Sequence, residues 1–280
     1  MQVFQCPLSA GLGIHLTSRK HASDLEAHQC GPPRGAGTSR FYAQLNDFLP
    51  CEWRGITFVY ALRVGGAVKD IVEALGVPHP EIDLILVNGV PGDFSCPVLE
   101  GDRVSVYPRF RSIDIESLTL VRPPVLPEVR FVTDTHLGRL ASYLRMLGFD
   151  TLYRNDYRDE ELAKLSRSQG RALLTKDLGV LKRSAVTHGY FVRETHPQRQ
   201  LREVVLRFDL SCAMTPFQRC LRCNGLLQPA LKQDVELRLL PRTKELYDEF
   251  HVCSACGRIY WKGSHYTRMR RLVDCISAQS

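Results

Sequence analysis

Between residues 129 and 193 short apolar runs alternate with helix-patterned ones, and no other feature restricts the fold of this chain so strongly. The runs read "VRFVTD", "GRLASYLRMLG", "DTLYRND", "DEELAKLSRSQG", "RALLTKD", "LGVLKRSAVTHG" and "YFVRE". Strands apolar throughout must be covered on both faces, and strands separated by helices run parallel, so the stretch specifies an α/β fold around a parallel sheet. In such sheets the ligand site lies beyond the carboxyl ends of the strands. Those ends are acidic here. Asp134 closes the first strand, Asp156 the second and Asp177 the third, while Asp159, Glu160 and Glu161 open the helix after the second. Carboxylates gathered on one edge repel one another unless a cation holds them, and oxygen ligands suit Mg²⁺ or Mn²⁺. A carboxylate in that place can also do no more than cap the next helix. Capping suits Asp156 or Asp159 taken singly, whereas Asp134 and Asp177 together read as metal ligands.

Downstream, four of the ten cysteines form two CxxC pairs, Cys220 with Cys223 and Cys253 with Cys256, separated by 29 residues. Two such turns aim four thiolates at one tetrahedral Zn²⁺, and four protein ligands leave no open position, so one structural zinc per chain is expected. A redox dithiol would need only one pair. The other six, Cys6, Cys30, Cys51, Cys96, Cys212 and Cys275, show no ligand spacing. After the second pair, "RIYWKGSHYTRMRRL" (258–272) interleaves aromatic rings with cations. Rings for bases and cations for phosphates are what single-stranded RNA binding uses, which points to Trp261, His265, Tyr266, Arg268, Arg270 and Arg271. Packing of those aromatics onto the neighbouring domain is an equal alternative.

Charge agrees with a polyanionic partner. Residues 1–126 hold 11 Lys and Arg against 13 Asp and Glu, while 127–280 hold 26 against 17. The excess lies with the α/β and cysteine-rich parts, and on charge alone an ordinary solvated basic surface accounts for it equally. Arg139, Arg145, Lys176, Lys182 and Arg183 on the facing helices are candidates to steady a phosphate backbone, or simply a solvated helix face. The sequence offers no run of about 18 uncharged apolar residues and no secretory pattern at its start, so a cytoplasmic protein without a membrane span is expected.

The remaining chain divides at composition shifts. Residues 1–38 are rich in Gly, Pro and Ser without an apolar period, and disorder is expected there. From 39 to 112 come two strand-like runs, "RFYAQLNDFL" and "GITFVYAL", a short helix "AVKDIVEALGV" closed by Gly76, and the strands "DLILVNG" and "DRVSVYP". This order resembles the β-grasp domains of ubiquitin and of the sulfur carriers. Those carriers end on a free Gly-Gly, whereas this strand runs on into "RFRSIDIESL", so the resemblance implies an α+β fold and a scaffolding or protein-binding role rather than sulfur transfer. "VRPPVLPEVR" marks a linker, placed at 113–128.

The segments "TDTHLGRLASYLRMLGFDTLYRND", "DEEL" and "LLTKDLGVLKR", followed by the cysteine ribbon, resemble the Mut-seven C-terminal RNase domain family, a branch of the PIN-like nucleases whose members often carry an N-terminal ubiquitin-like domain. The resemblance spans roughly 39–275. It implies a PIN-like parallel-sheet nuclease domain over 129–212, a zinc ribbon with a basic aromatic tail over 213–280, and metal-dependent hydrolysis of RNA. Carried over residue by residue, it implies Asp134 and Asp177 as catalytic Mg²⁺ or Mn²⁺ ligands and a third acid from 156–161, Asp159 first with Glu160 as its rival. A non-catalytic RNA-binding or ribosome-associated module is the alternative, because ribbon and charge would serve it equally.

Overall fold

The computed structural model describes residues 36–61, 66–110 and 113–278. The disorder expected before residue 36, with Cys6 and Cys30, lies outside the described residues.

The N-terminal part is a five-stranded mixed sheet with one helix across it. Its elements are β1 (Ala36–Phe41), β2 (Phe58–Ala61), α1 (Val68–Ala74), β3 (Ile82–Val87), β4 (Val90–Gly92) and β5 (Arg103–Pro108). Strand order is β2-β1-β5-β3-β4, with β1 and β5 parallel and the other pairs antiparallel. This is the β-grasp arrangement. Val68, Ile71 and Val72 of α1 are buried against Phe41, Ile85, Val104 and Val106. β1 starts at Ala36, ahead of the expected boundary at 39. The strand expected over 40–49 ends at Phe41, because Ala43–Phe48 forms a 3-10 helix. Asn46 enforces that turn by donating to the carbonyls of Phe41 and Ala43 at 3.0 and 2.9 Å, and Leu45 and Leu49 are buried at helical spacing.

The nuclease-like part runs β6 (Phe131–Thr133), α2 (Gly138–Met146), β7 (Thr151–Leu152), α3 (Asp159–Gln169), β8 (Ala172–Thr175), α4 (Leu178–Leu181), β9 (Gly189–Phe191) and α5 (Pro197–Phe208). Strand order is β7-β6-β8-β9, all parallel. Side chains alternate across the sheet as a doubly covered layer requires. Phe131, Ala172 and Leu174 face α2 and α5, while Val132 and Leu173 face α3 and α4. The helix expected over 178–189 stops at Leu181 and gives way to turns. α5 is an element the sequence reading left unassigned, although Pro197 at its first turn and Leu201, Val204 and Val205 on its buried face mark it.

The cysteine-rich part holds β10 (Leu227–Ala230), α6 (Lys232–Val235), α7 (Pro241–Leu246), β11 (Phe250–Cys253), β12 (Ile259–Trp261) and α8 (Ser264–Ser277), with β10, β11 and β12 forming an antiparallel ribbon. The expected basic tail is largely helix. Val273 and Ile276 of α8 complete the apolar core beside α2 and α5, with Met269 and Leu272 packed against it.

The β-grasp domain, expected to meet a protein partner, packs against the nuclease-like part of its own chain. The buried Glu81 carboxylate accepts the Phe191 N–H at 2.7 Å, so one outward N–H of the edge strand β9 is satisfied by a side chain. Lys182 donates to the Glu73 carbonyl at 2.7 Å, and a ring nitrogen of His79 meets the Val186 carbonyl at 2.8 Å. The 113–128 segment forms neither strand nor helix, yet Arg122 grips Asp83 through two contacts of 2.6 and 2.7 Å. Among the described residues no helix is long and apolar enough to cross a membrane.

Candidate active site and metal centre

Asp134 and Asp177 end on the carboxyl edge of neighbouring strands, and one hydroxyl joins them. Thr175, fully buried at the end of β8, donates to Asp134 Oδ2 and accepts the Asp177 N–H at 2.9 Å. Asp134 is 5% exposed and accepts two further bonds, from His136 N–H at 2.8 Å and Lys176 N–H at 2.8 Å. Asp177 is exposed. Its Oδ1 accepts the Gly179 N–H at 2.7 Å and caps α4, while Oδ2 has no hydrogen-bond partner among the described residues. Both the capping geometry and an open carboxylate oxygen are therefore present at Asp177. Thr175 escaped the sequence reading, though a single hydroxyl closing the otherwise apolar run Ala172–Leu174 was a signal for it.

The four other acids of this edge are exposed or half-buried and differ in their commitments. Asp156 is held by Arg154 through two bonds of 2.9 and 2.8 Å, and Glu161 accepts the Arg158 N–H at 3.2 Å as the return half of a cap. Asp159 lies 3.9 Å from Arg183. Glu160 lines an open groove with Lys164, Arg167 and Arg183. Of the basic residues proposed for phosphate, Arg139 and Arg183 are exposed. Arg145 is not a surface cation: it is 3% exposed and spends its guanidinium on the carbonyls of Thr151, Leu221 and Arg222.

The four predicted cysteines converge. Among the described residues they are the only group of three or more Cys, His, Asp or Glu whose ligand atoms all lie within 4.8 Å of one another. Sγ–Sγ separations of 3.7 Å for Cys220–Cys256 and 3.4 Å for Cys223–Cys253 approach the edge of about 3.8 Å that zinc–thiolate bonds of about 2.3 Å give a tetrahedron. The donor set fits a zinc-type ion. The two knuckles have one geometry. In each, the residue after the second cysteine is left-handed, Asn224 at φ 72° and Gly257 at φ 68°. Its N–H returns to the first cysteine's carbonyl, at 3.0 and 2.9 Å, and that cysteine's N–H meets the carbonyl one residue further on, at 2.8 and 2.9 Å. The "CNG" and "CGR" sequences meet this need, since Asn and Gly tolerate positive φ best.

The Tyr260 hydroxyl sits 3.1 Å from Cys220 Sγ and accepts the Leu221 N–H at 3.2 Å. Burial disfavours the Cys220 thiolate, but the bonds from Tyr260 and from the Cys223 and Arg222 backbone outweigh it and bring its pKa down to about 6. Cys223 moves the other way, pushed up to about 12 by burial and by the neighbouring thiols.

A buried polar network fastens the first knuckle to the sheet. Asn224 bonds Asp150 and Thr151, Asp150 pairs with Arg171 at 2.7 Å, and Arg171 reaches the Phe131 carbonyl at 3.2 Å. Arg219 donates to the carbonyls of Gly148 and Asn224 at 3.0 and 3.2 Å.

The predicted RNA-contact residues divide by environment. Tyr266 packs on Phe217 with ring centres 4.7 Å apart, and Arg270 pairs with Asp274 at 3.1 Å. His265, Arg268 and Arg271 are exposed, and Trp261 is 38% exposed. Trp261 and His265 line one cleft with Tyr247, Arg242 and Arg258, of which Tyr247 and Arg242 come from the insert between the knuckles and were missed in the sequence. Gly263 keeps the floor of this cleft open, because a Cβ there would stand 2.9 Å from Trp261 Nε1.

Compared with known proteins, the chain matches a family model described as Mut7-C RNAse domain over residues 129–273 and one described as Mut7-C ubiquitin over residues 37–114. No curated protein and no solved structure matches it.

Proposed function

Because this chain belongs to the Mut7-C RNAse domain family, which points to a nuclease-type function, we propose that it hydrolyses RNA phosphodiester bonds at the carboxyl edge of its parallel sheet, using a divalent cation held by carboxylates. The observation that carries this reading is the pairing of Asp134 and Asp177 across adjacent strands through Thr175. Asp177 Oδ2 offers an uncommitted oxygen, and oxygen donors of full negative charge suit Mg²⁺ or Mn²⁺. Such an ion, when bound, lowers the pKa of a water and offsets charge on the scissile phosphate. Asp134 is the fixed member, its orientation held by three donors. For the third acid Asp159 comes first and Glu160 second, since Asp156 is taken by Arg154 and Glu161 by the Arg158 N–H.

The four cysteines are proposed to hold one structural Zn²⁺. The cleft of Trp261 and His265, with Arg268, Arg270, Arg271 and the partly packed Tyr266 nearby, is proposed to take the RNA strand by stacking and phosphate contact. The second reading, a non-catalytic RNA-binding module, is favoured by one observation: among the described residues no three acids bring ligand atoms within 4.8 Å of one another. Incubating the purified protein with mixed RNAs in Mg²⁺, Mn²⁺ or EDTA separates the two. Cleavage that needs the metal is expected; binding without cleavage in every condition gives the site to the second reading.

A further inference from the structure

The seam between the β-grasp and nuclease-like parts contains more arginines than its carboxylates engage. Arg193 pairs with Glu81 at 3.3 Å and with Asp47 at 3.1 Å, and Arg122 pairs with Asp83 at 2.6 Å. Glu203 is taken by the Tyr190 hydroxyl and the N–H groups of Arg193 and Glu194. The side chains of Arg207 and Arg109 make no hydrogen bond or ion pair among the described residues. Asp209, exposed beside them, pairs with neither.

Arg207 is the unusual one. Its guanidinium lies 5.3 Å from the Tyr190 ring and 5.6 Å from that of Phe208, so its flanks are aromatic. Burial lowers its pKa, Glu81 acts against that, and Arg109 adds to the depression. An arginine stays protonated even so, and this half-buried guanidinium, whose unpaired nitrogens reach solvent at the cavity wall, gains charge-assisted bonds when an anion enters. Both arginines border two adjoining cavities, one of about 240 Å³ that includes Thr187 and His188, the other of about 250 Å³ that includes Ser211. His188 Nε2 meets the Pro124 carbonyl at 2.8 Å and so secures the proline-rich segment as a wall of the first.

We propose that Arg207 and Arg109 form a binding site for a phosphate-type oxyanion in this seam. Guanidinium groups match phosphate oxygens in charge and in forked geometry. The site is separate from the acids of the candidate active site. It lies beside Val129 and Gly189, where the strands of the parallel sheet begin, whereas Asp134 and Asp177 stand where they end. It therefore takes an anion other than the phosphate under attack, either free phosphate or the phosphomonoester of a small molecule such as a mononucleotide.

The test uses the full chain, with thermal unfolding and titration calorimetry in inorganic phosphate, in adenosine monophosphate, and in sodium chloride at matched ionic strength. A saturable rise in Tm with phosphate or the nucleotide, absent with chloride, is expected, with affinity at least tenfold weaker in Arg207→Gln and in Arg109→Gln. Tighter binding of the nucleotide identifies a phosphomonoester, and equal or tighter binding of phosphate identifies the free ion. Should Arg207→Gln fail to fold, the exposed Arg109→Gln decides. No saturable effect beyond that of chloride, or an unchanged affinity in Arg109→Gln, overturns the proposal.

Discussion

The carboxamide of Asn224 donates to Asp150 Oδ1 at 2.7 Å while its own oxygen accepts the Thr151 N–H at 3.0 Å. A residue of the first cysteine knuckle is thereby built into the sheet of the nuclease-like part, and α8, beyond the second knuckle, lends Val273 and Ile276 to the same core. The cysteine cluster and the candidate active site consequently share one folded body at the level of side chains.

Asn224→Gly should destabilise the chain by about 1–3 kcal/mol, the cost of leaving buried Thr151 N–H and Asp150 with fewer partners. Glycine preserves the left-handed backbone at this position, so the change isolates the amide. Urea unfolding measures it, and an unchanged midpoint would show that the bond contributes nothing.

Asp150 gives the network a pH signature. Burial opposes its ionisation, but Arg171 and Asn224 outweigh burial and hold its pKa below the ordinary 3.8. A depressed carboxyl contributes stability that is fully present above the unfolded-state value and is lost as pH falls through the folded-state value. The stability gap between wild type and Asp150→Asn should therefore be constant above about pH 5 and shrink below about pH 4. A gap independent of pH down to 2 would remove Asp150 from the account.

Zinc analysis of the purified chain should find one ion, and Cys253→Ser should lose it. Because metal binding supplies much of a small ribbon's folding free energy, the ribbon should unfold in that variant. Tyr260→Phe should lower zinc affinity by about 10–100-fold with the ribbon still folded, since it removes only the hydroxyl beside Cys220. Full zinc occupancy in Cys253→Ser would refute a four-cysteine site.

Much of this architecture is legible locally. The apolar runs ending at Val132 and Leu174 announce a doubly covered sheet, and the spacing of Cys220, Cys223, Cys253 and Cys256 announces a tetrahedral site. What escaped depends on distant partners. Arg145 has the surroundings of a surface cation in the sequence, yet carbonyls of residues 221 and 222 take it into the interior. Residues 258–272 read as a basic tail because Arg268, Arg270 and Arg271 mask a helical apolar series of Tyr266, Met269, Val273 and Ile276. The 43–48 turn looks like strand until Asn46 is seen bonding backward to Phe41 and forward to Gly55. For the acids, the sequence indicates an edge and a charge but not which carboxylate is already committed.

Trp261→Ala should weaken binding of single-stranded RNA by about 1–3 kcal/mol, the usual worth of one stacked base, with little change in Tm. Tyr266→Ala should lower Tm as well as RNA affinity, because its ring also packs on Phe217. Fluorescence anisotropy with a labelled oligoribonucleotide, alongside thermal unfolding, separates them. A Trp261→Ala variant that binds RNA at wild-type affinity removes the cleft from the RNA path.

Asp177→Asn and Asp134→Asn should both abolish metal-dependent cleavage, but only the first should leave the fold undisturbed. At Asp177 the amide oxygen can still accept the Gly179 N–H and cap α4, while the negative charge that holds a hard cation is gone. RNA affinity, proposed to come from the basic surface and the aromatic cleft, should be nearly unchanged. At Asp134 the carboxylate accepts three donors in a buried setting, from Thr175, Lys176 and His136. An amide must turn its NH₂ toward one of them, so this variant should also lose about 1–3 kcal/mol of stability. Loss of activity in Asp134→Asn alone would thus be ambiguous between ligand and scaffold, and Asp177→Asn is the decisive change. If Asp177→Asn cleaves RNA at the wild-type rate, its carboxylate is only a helix cap.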